Sequence, residues 1–267
     1  MSVLKRNNVH VTGKGASTMV FTHGFGCDQT MWRFLAPVYQ ERFRVITYDL
    51  TGSGGSDLAA YDRARHASLQ GHADDLLEII EECAVGPVVF VGHSVGAMIG
   101  MLATIAAPQR FTAQVMIGPS PSYINDGEYV GGFSHDDIRE LLDAMDDNFL
   151  AWSQSLAPAI MGAPNRPDLR DELTASFCRN DPDIARHFAA VTFLSDHRDD
   201  VPKSSVPTLI LQCSDDLIAP RAVGEWLHRH LRPSTLALIE NVGHCPHMSA
   251  PTASSRAIDA FLAQLLR

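Results

Sequence analysis

The sequence is poor in basic charge. No run of Lys or Arg exceeds the pair Lys5–Arg6, and 21 basic against 31 acidic residues leave a formal net charge of −10. A protein that binds nucleic acid or an anionic membrane draws affinity from clustered positive charge, so neither partner is expected. The five cysteines, Cys27, Cys83, Cys178, Cys213 and Cys245, form no CxxC pair and are odd in number. That argues against a disulfide framework and fits reduced thiols in the cytoplasm. Met1–Asn8 is too polar for a signal peptide, so export is not expected. Internal repeats, low-complexity tracts and linker-like runs of Pro, Gly and Ser are also missing.

One absence points elsewhere. From Cys83 to Gln109 there is no Asp, Glu, Lys or Arg, and Val88–Ala107 is long enough to span a bilayer. Yet Gly92, Gly96 and the His93–Ser94 pair sit awkwardly in the middle of a spanning helix. A buried strand, a turn and a buried helix would each need to be apolar for their own reasons.

What is present reads as alternation. Met19–Thr22, Val45–Tyr48, Val88–Val91, Val115–Ile117, Thr208–Gln212 and Thr235–Ile239 are expected to be strands, mostly apolar throughout as strands covered on both faces are. Leu69, Ala73, Leu76, Leu77, Ile80 and Cys83 fall at helical spacing, and similar patterns occur at Val223–Leu231 and Ala257–Leu266. Strand alternating with helix predicts an α/β fold with a mostly parallel sheet and helices on both faces. The alternation lapses between about Pro119 and Val206, where helical periodicity continues without strands; Ile138, Leu141, Leu142 and Met145 are followed by Phe149 and Trp152. The expected organisation is a core of residues 1–118 and 206–267 with a helical lid at 119–205. The acidic run Asp143–Asp147 is read as the solvated side of a lid helix.

Gly92-His-Ser94-Val-Gly96 matches GxSxG, a weak signal alone. Here a β-branched strand runs into it and an Ala/Met/Ile helix runs out, the strand–turn–helix setting of a nucleophile elbow. Such a turn holds Ser94 at a strained backbone angle, while Gly92 and Gly96 remove side chains where the elements approach closely. The helix that follows aims its free N–H groups and dipole at a developing oxyanion.

A serine hydroxyl needs a base, and the base needs an orienting group. Gly243-His244-Cys245-Pro246 places a histidine in a loop before the last helix, making His244 the candidate base and His247 its rival. Leu209–Pro220 supplies the acid: Asp216, in a DxxxP loop after a strand, is preferred over Asp215, and either could instead cap the following helix. Thr22-His-Gly-Phe-Gly suggests that the backbone N–H of Phe25 joins that of Val95 as oxyanion donor, with the Phe25 ring walling a pocket.

Two other patterns fail. Gly52-Ser-Gly-Gly-Ser would need a third glycine where Asp57 stands, so no dinucleotide fingerprint is present. His244, Cys245 and His247, or His228 and His230, lack an HExxH or CxxC frame, and neither a metal nor another cofactor is expected.

HGFGCDQTMW, YDLTGSGGSD, VGHSVGAMIGM, GPSPSYINDGEYVGGF, FLSDHRDDV, LILQCSDDLIAP and GHCPHMS together closely resemble the RsbQ group of bacterial α/β-hydrolases, relatives of the plant karrikin and strigolactone receptors. The likeness runs from about Val3 onward. Gly96 and the GHCPH loop look more like the bacterial proteins than the plant receptors. The resemblance implies an α/β-hydrolase fold under a lid of four helices in a V. It implies a triad of Ser94, Asp216 and His244, and oxyanion donors at Phe25 and Val95. The pocket aromatics it implies are Tyr123, Phe133, Trp152 and Phe193, of which at least one is expected to be only core. Phe25 and Ile218 are expected with them in the substrate pocket. The implied activity is serine-dependent hydrolysis of small, largely apolar esters or lactones. The implied alternative is ligand-dependent signalling, with a PAS-domain phosphatase of the general stress response as partner.

Overall fold

The computed structural model describes residues 2–265. Seven strands form one sheet: β1 (His10–Thr12), β2 (Ser17–Thr22), β3 (Phe43–Tyr48), β4 (Val88–His93), β5 (Phe111–Ile117), β6 (Thr208–Asp215) and β7 (Ser234–Val242), in the order β1-β3-β2-β4-β5-β6-β7. All pairings are parallel except β1 with β3. The six expected strands are all present. β1 was not expected, because three residues with one half-buried Val carry no hydrophobic pattern; it is an antiparallel edge strand.

α1 (Val3–Arg6) and α2 (Ala36–Tyr39) are single turns, and the first long helices are α3 (Leu69–Cys83) and α4 (Val95–Ala106). α3 buries Leu69, Ala73, Leu76, Ile80 and Cys83 against the sheet, the face its periodicity indicated. Between β5 and β6 stand α5 (His135–Asp147), α6 (Phe149–Met161), α7 (Pro167–Arg179) and α8 (Pro182–Phe193). α9 (Arg221–His230), α10 (Pro246–Ser249) and α11 (Pro251–Leu265) complete the chain. The expected C-terminal helical pattern extends to Leu266, which lies outside the described residues.

The charge-free segment resolves into β4, a turn and α4, with β4 buried throughout and α4 buried from Val95 to Thr104. Among the described residues no helix is long and apolar enough to cross a membrane. β4 is apolar because the sheet covers both its edges and the helices both its faces.

The strand order reverses between β2 and β4, and Thr22 at the end of β2 pairs with Gly92 at the end of β4. The segments that leave these two ends are therefore neighbours. In open α/β sheets the crevice outside the carboxyl ends at such a switch point is where ligands bind.

Candidate active site

Ser94 occupies the turn between β4 and α4 at φ 55° and ψ −126°. A positive φ on a side chain other than Gly costs about 1–3 kcal/mol, and the neighbours must hold it there. Two of them do so with backbone bonds: Ser94 N–H donates to Ile117 O at 2.8 Å, and Ser94 O accepts from Ala97 N–H at 2.9 Å. The hydroxyl does not cap α4. Both flanking glycines are required by contact. A Cβ on Gly92 would lie 2.6 Å from Gly96 O, and one on Gly96 would lie 2.4 Å from His23 O. Gly92 thus lets α4 approach its own strand, whereas Gly96 lets it approach the loop after β2.

That loop is fixed by His23. Its Nε2 accepts from Leu50 N–H at 3.0 Å and its Nδ1–H donates to Gly24 O at 2.8 Å. The two bonds select one neutral tautomer, and burial, opposed by the Asp49 charge, lowers the ring's pKa to match. Gly24 O and the N–H of Phe25 belong to one peptide plane, so orienting one orients the other. Among the described residues neither Phe25 N–H nor Val95 N–H has a hydrogen-bond acceptor.

His244 Nδ1 lies 2.7 Å from Asp216 Oδ2, and both side chains are almost wholly buried. Asp216 Oδ1 accepts from the N–H groups of Ile218 and Ala219 at 2.9 and 3.1 Å, which fixes the carboxylate in its turn. The backbone of His244 is engaged as well: its N–H donates to Ile160 O of α6 at 2.8 Å and its carbonyl accepts from His93 Nε2 at 2.9 Å. Only Nε2 has no hydrogen-bond partner among the described residues. His247, the rival base, is buried beneath, between the rings of Trp32 and His93 at 4.7 and 4.5 Å, and does not meet the carboxylate. Asp215 is exposed at the end of β6.

Ser94 and His244 line one cavity of about 20 Å³, together with Phe25, Tyr123, Phe193 and Ile218 from the sequence expectation. That volume holds the centre of about one water. The remaining wall is Cys27, His93, Ile160, Leu173, Phe177, Thr192 and Cys245. Trp152 stands outside it, packed on Phe25 at 6.2 Å and Phe177 at 6.0 Å, and is core. Phe133 is half-buried and paired through its backbone to Tyr123 O and Asn125 N–H, away from the lining. Phe177 closes the cavity because Ser176 Oγ and Asn180 Nδ2 both donate to Gly26 O at 3.0 Å, drawing α7 onto the loop. Burial raises the Tyr123 phenol above its ordinary range, with the neighbouring Ser94 hydroxyl opposing.

Among the described residues, the group with three potential metal ligands within 4.8 Å is His66, His72 and Asp75, not the histidines near the C-terminus. Asp75 is already occupied there: it accepts from Thr51 Oγ1 at 2.6 Å and Arg65 at 2.6 Å, meets His66 Nε2 at 3.0 Å, and has Arg6 at 3.4 Å. Two guanidinium groups beside the carboxylate oppose a dication.

Residues 19–257 match the model of the alpha/beta hydrolase family. The chain belongs to that family. It is 38% identical over 250 residues to karrikin insensitive 2 receptor CA of Petunia hybrida, covering 93% of each chain. It is 35% identical over 267 residues to strigolactone esterase D14 of Arabidopsis thaliana, covering 100% of this chain and 97% of that one. A solved hydrolase from Oleispira antarctica superposes with a TM-score of 0.94 at 41% identity, covering 98% of this chain and 96% of that chain. Named esterases and hydrolases recur among these relatives.

Proposed function

We propose that this protein is a cytoplasmic serine hydrolase of small, largely apolar esters or lactones, working through Ser94, His244 and Asp216. The observation that carries the reading is the state of His244. Its N–H, its carbonyl and Nδ1 are all engaged, leaving Nε2 free beside the cavity it shares with Ser94.

In the proposed mechanism Nε2 takes the Ser94 proton as Oγ attacks the carbonyl carbon. Asp216 holds the tautomer with Nδ1 protonated and stabilises the imidazolium that forms. The unengaged N–H groups of Phe25 and Val95 receive the oxyanion. His244 returns the proton to the leaving alcohol oxygen. Water, deprotonated by the same nitrogen, then attacks the acyl carbon, the bond to Ser94 Oγ breaks, and His244 hands the proton to Oγ as the acid leaves. In a lactone the leaving oxygen stays tethered, so one acyl-enzyme carries both ends of the ring. His244 Nε2 has no partner among the described residues; its hydrogen bond to Ser94 Oγ forms as substrate closes the site.

α5–α8 serve as the lid, residues 119–205, over a core of 1–118 and 206–267. A cavity of about 20 Å³ admits an ester only when the aromatic wall moves, which favours small substrates. The test is turnover of p-nitrophenyl acetate and butyrate: Ser94→Ala should reduce it to background. Wild-type rates in that variant would overturn the mechanism.

The likeness to a karrikin receptor favours a second reading: an RsbQ-like signalling protein that hydrolyses its ligand slowly or once and then engages a PAS-domain phosphatase. Pre-steady-state kinetics separates the two. A burst of one equivalent followed by near-zero turnover, with ligand-dependent capture of the phosphatase, supports signalling; sustained turnover supports the enzyme.

A further inference from the structure

Thr192 stands in the last turn of α8, in the wall of the cavity that holds Ser94. The residue is 1% exposed, and its Oγ1 has no hydrogen-bond partner among the described residues. A threonine inside a helix ordinarily gives its hydroxyl to the carbonyl one turn back, here Phe188 O, and this one does not. A buried hydroxyl left unmet is costly, whereas Val would fill the same volume without that cost.

The other polar groups of the lining have their places: Ser94 and His244 react, His93 supports His244 through Nε2 while its Nδ1, also without a partner among the described residues, faces Gly24, and Tyr123 stands beside Ser94. Apart from these and Thr192 the wall is hydrocarbon and thiol, and it includes no Asp, Glu, Lys or Arg. Thr192 is therefore a polar group with no protein partner and no part in the proposed proton transfers.

We infer that Thr192 Oγ1 is a specificity-determining hydroxyl, hydrogen-bonded to a second, neutral oxygen of the substrate that is set apart from the scissile carbonyl. Resting on the proposed hydrolase function, this narrows the substrate class to small hydroxy- or oxo-substituted esters and lactones. The absence of an ionised side chain in the wall excludes a second carboxylate or an ammonium group, which would be desolvated without a counter-charge.

The experiment compares γ-butyrolactone with its α-hydroxy and β-hydroxy derivatives in the wild type, Thr192→Val and Thr192→Ser. Affinity is read by ligand-induced thermal shift and turnover by acid release. In the wild type at least one hydroxylated lactone should bind about 3–10-fold more tightly than the parent, the size of one neutral hydrogen bond. Thr192→Val should bring that ratio to about one, and should raise the ligand-free Tm. Thr192→Ser should keep the preference. A wild type with no preference, or a Val variant that retains it, overturns the inference. If the preference behaves as expected but no lactone or ester is turned over, the hydrolase reading fails and the recognition role stands.

Discussion

The Nε2–H of His93 donates to the carbonyl oxygen of His244 across 2.9 Å. His93 immediately precedes Ser94, so one bond links the strand that presents the proposed nucleophile to the loop that presents the proposed base. Burial, reinforced by His247 and His244, pushes the His93 pKa well below its ordinary value and keeps the ring neutral. Its Nε2 must carry the proton because a carbonyl only accepts.

His93 is thus a positioning residue. His93→Ala should lower kcat about 10–100-fold with little change in KM, since small displacements of a base are costly in rate. His93→Gln, which restores an amide donor, should recover much of the loss. Steady-state kinetics on p-nitrophenyl butyrate checks this, with Tm measured for each variant. Equal loss in the Ala and Gln variants at unchanged Tm would rule the role out.

Asp216→Asn should leave the fold intact, because the amide oxygen can still accept from Ile218 and Ala219 N–H. It removes the charge facing Nδ1, and its NH₂ favours the wrong tautomer of His244. On the proposed mechanism kcat should fall by about 10⁴, with Tm within a few degrees of wild type. A variant that keeps a tenth of wild-type kcat would shift the acid role away from Asp216.

Ser94→Gly and Ser94→Ala should both abolish hydrolysis but differ in stability. Gly adopts the φ of 55° without strain, and no cap hydrogen bond is lost because the Ser94 side chain makes none. The Gly variant should therefore gain about 1–2 kcal/mol over the Ala variant. Urea midpoints measure the difference; equal midpoints would mean the turn is not strained.

The strands other than β1, together with α3 and the Ser94 turn, were legible because each is a local pattern: β-branched runs, helical spacing, glycines at fixed offsets. Asp216 and His244 were legible as loop residues after particular strands, though Asp215 and His247 could be set aside only by geometry. Leu173, Phe177 and Thr192 were not legible as cavity residues. They lie on helices whose periodicity reports burial but not which buried residue meets Ser94, and that depends on how α7 and α8 seat on the Gly26 loop. The core position of Trp152 has the same cause: an aromatic at helical spacing reads alike whether it lines a cavity or backs the ring that does. The positioning bonds of His23 and His93 lay inside quoted motifs, but nothing in a sequence shows which nitrogen meets which carbonyl.

The buried histidines set the response to acid. Burial, with His66 adding to it and Asp75 opposing, lowers His72 to about 3, and burial with His244 lowers His247 to about 3. In the unfolded chain both titrate near the ordinary value of about 6.5. Above that pH neither state binds the proton and stability is greatest. As pH falls from about 6.5 toward about 3 the unfolded chain binds protons that the native state refuses, so stability drops. The limiting slope is about 1.4 kcal/mol per pH unit for each ring. Urea unfolding between about pH 6 and 5, above most of the carboxylate titration, reports the buried histidines together, His23 and His93 included because burial lowers them as well. His72→Phe, which keeps a ring against Phe188 at the 4.7 Å contact, should lower the slope by about one proton. A variant with the wild-type slope would show that His72 is protonated in the native state.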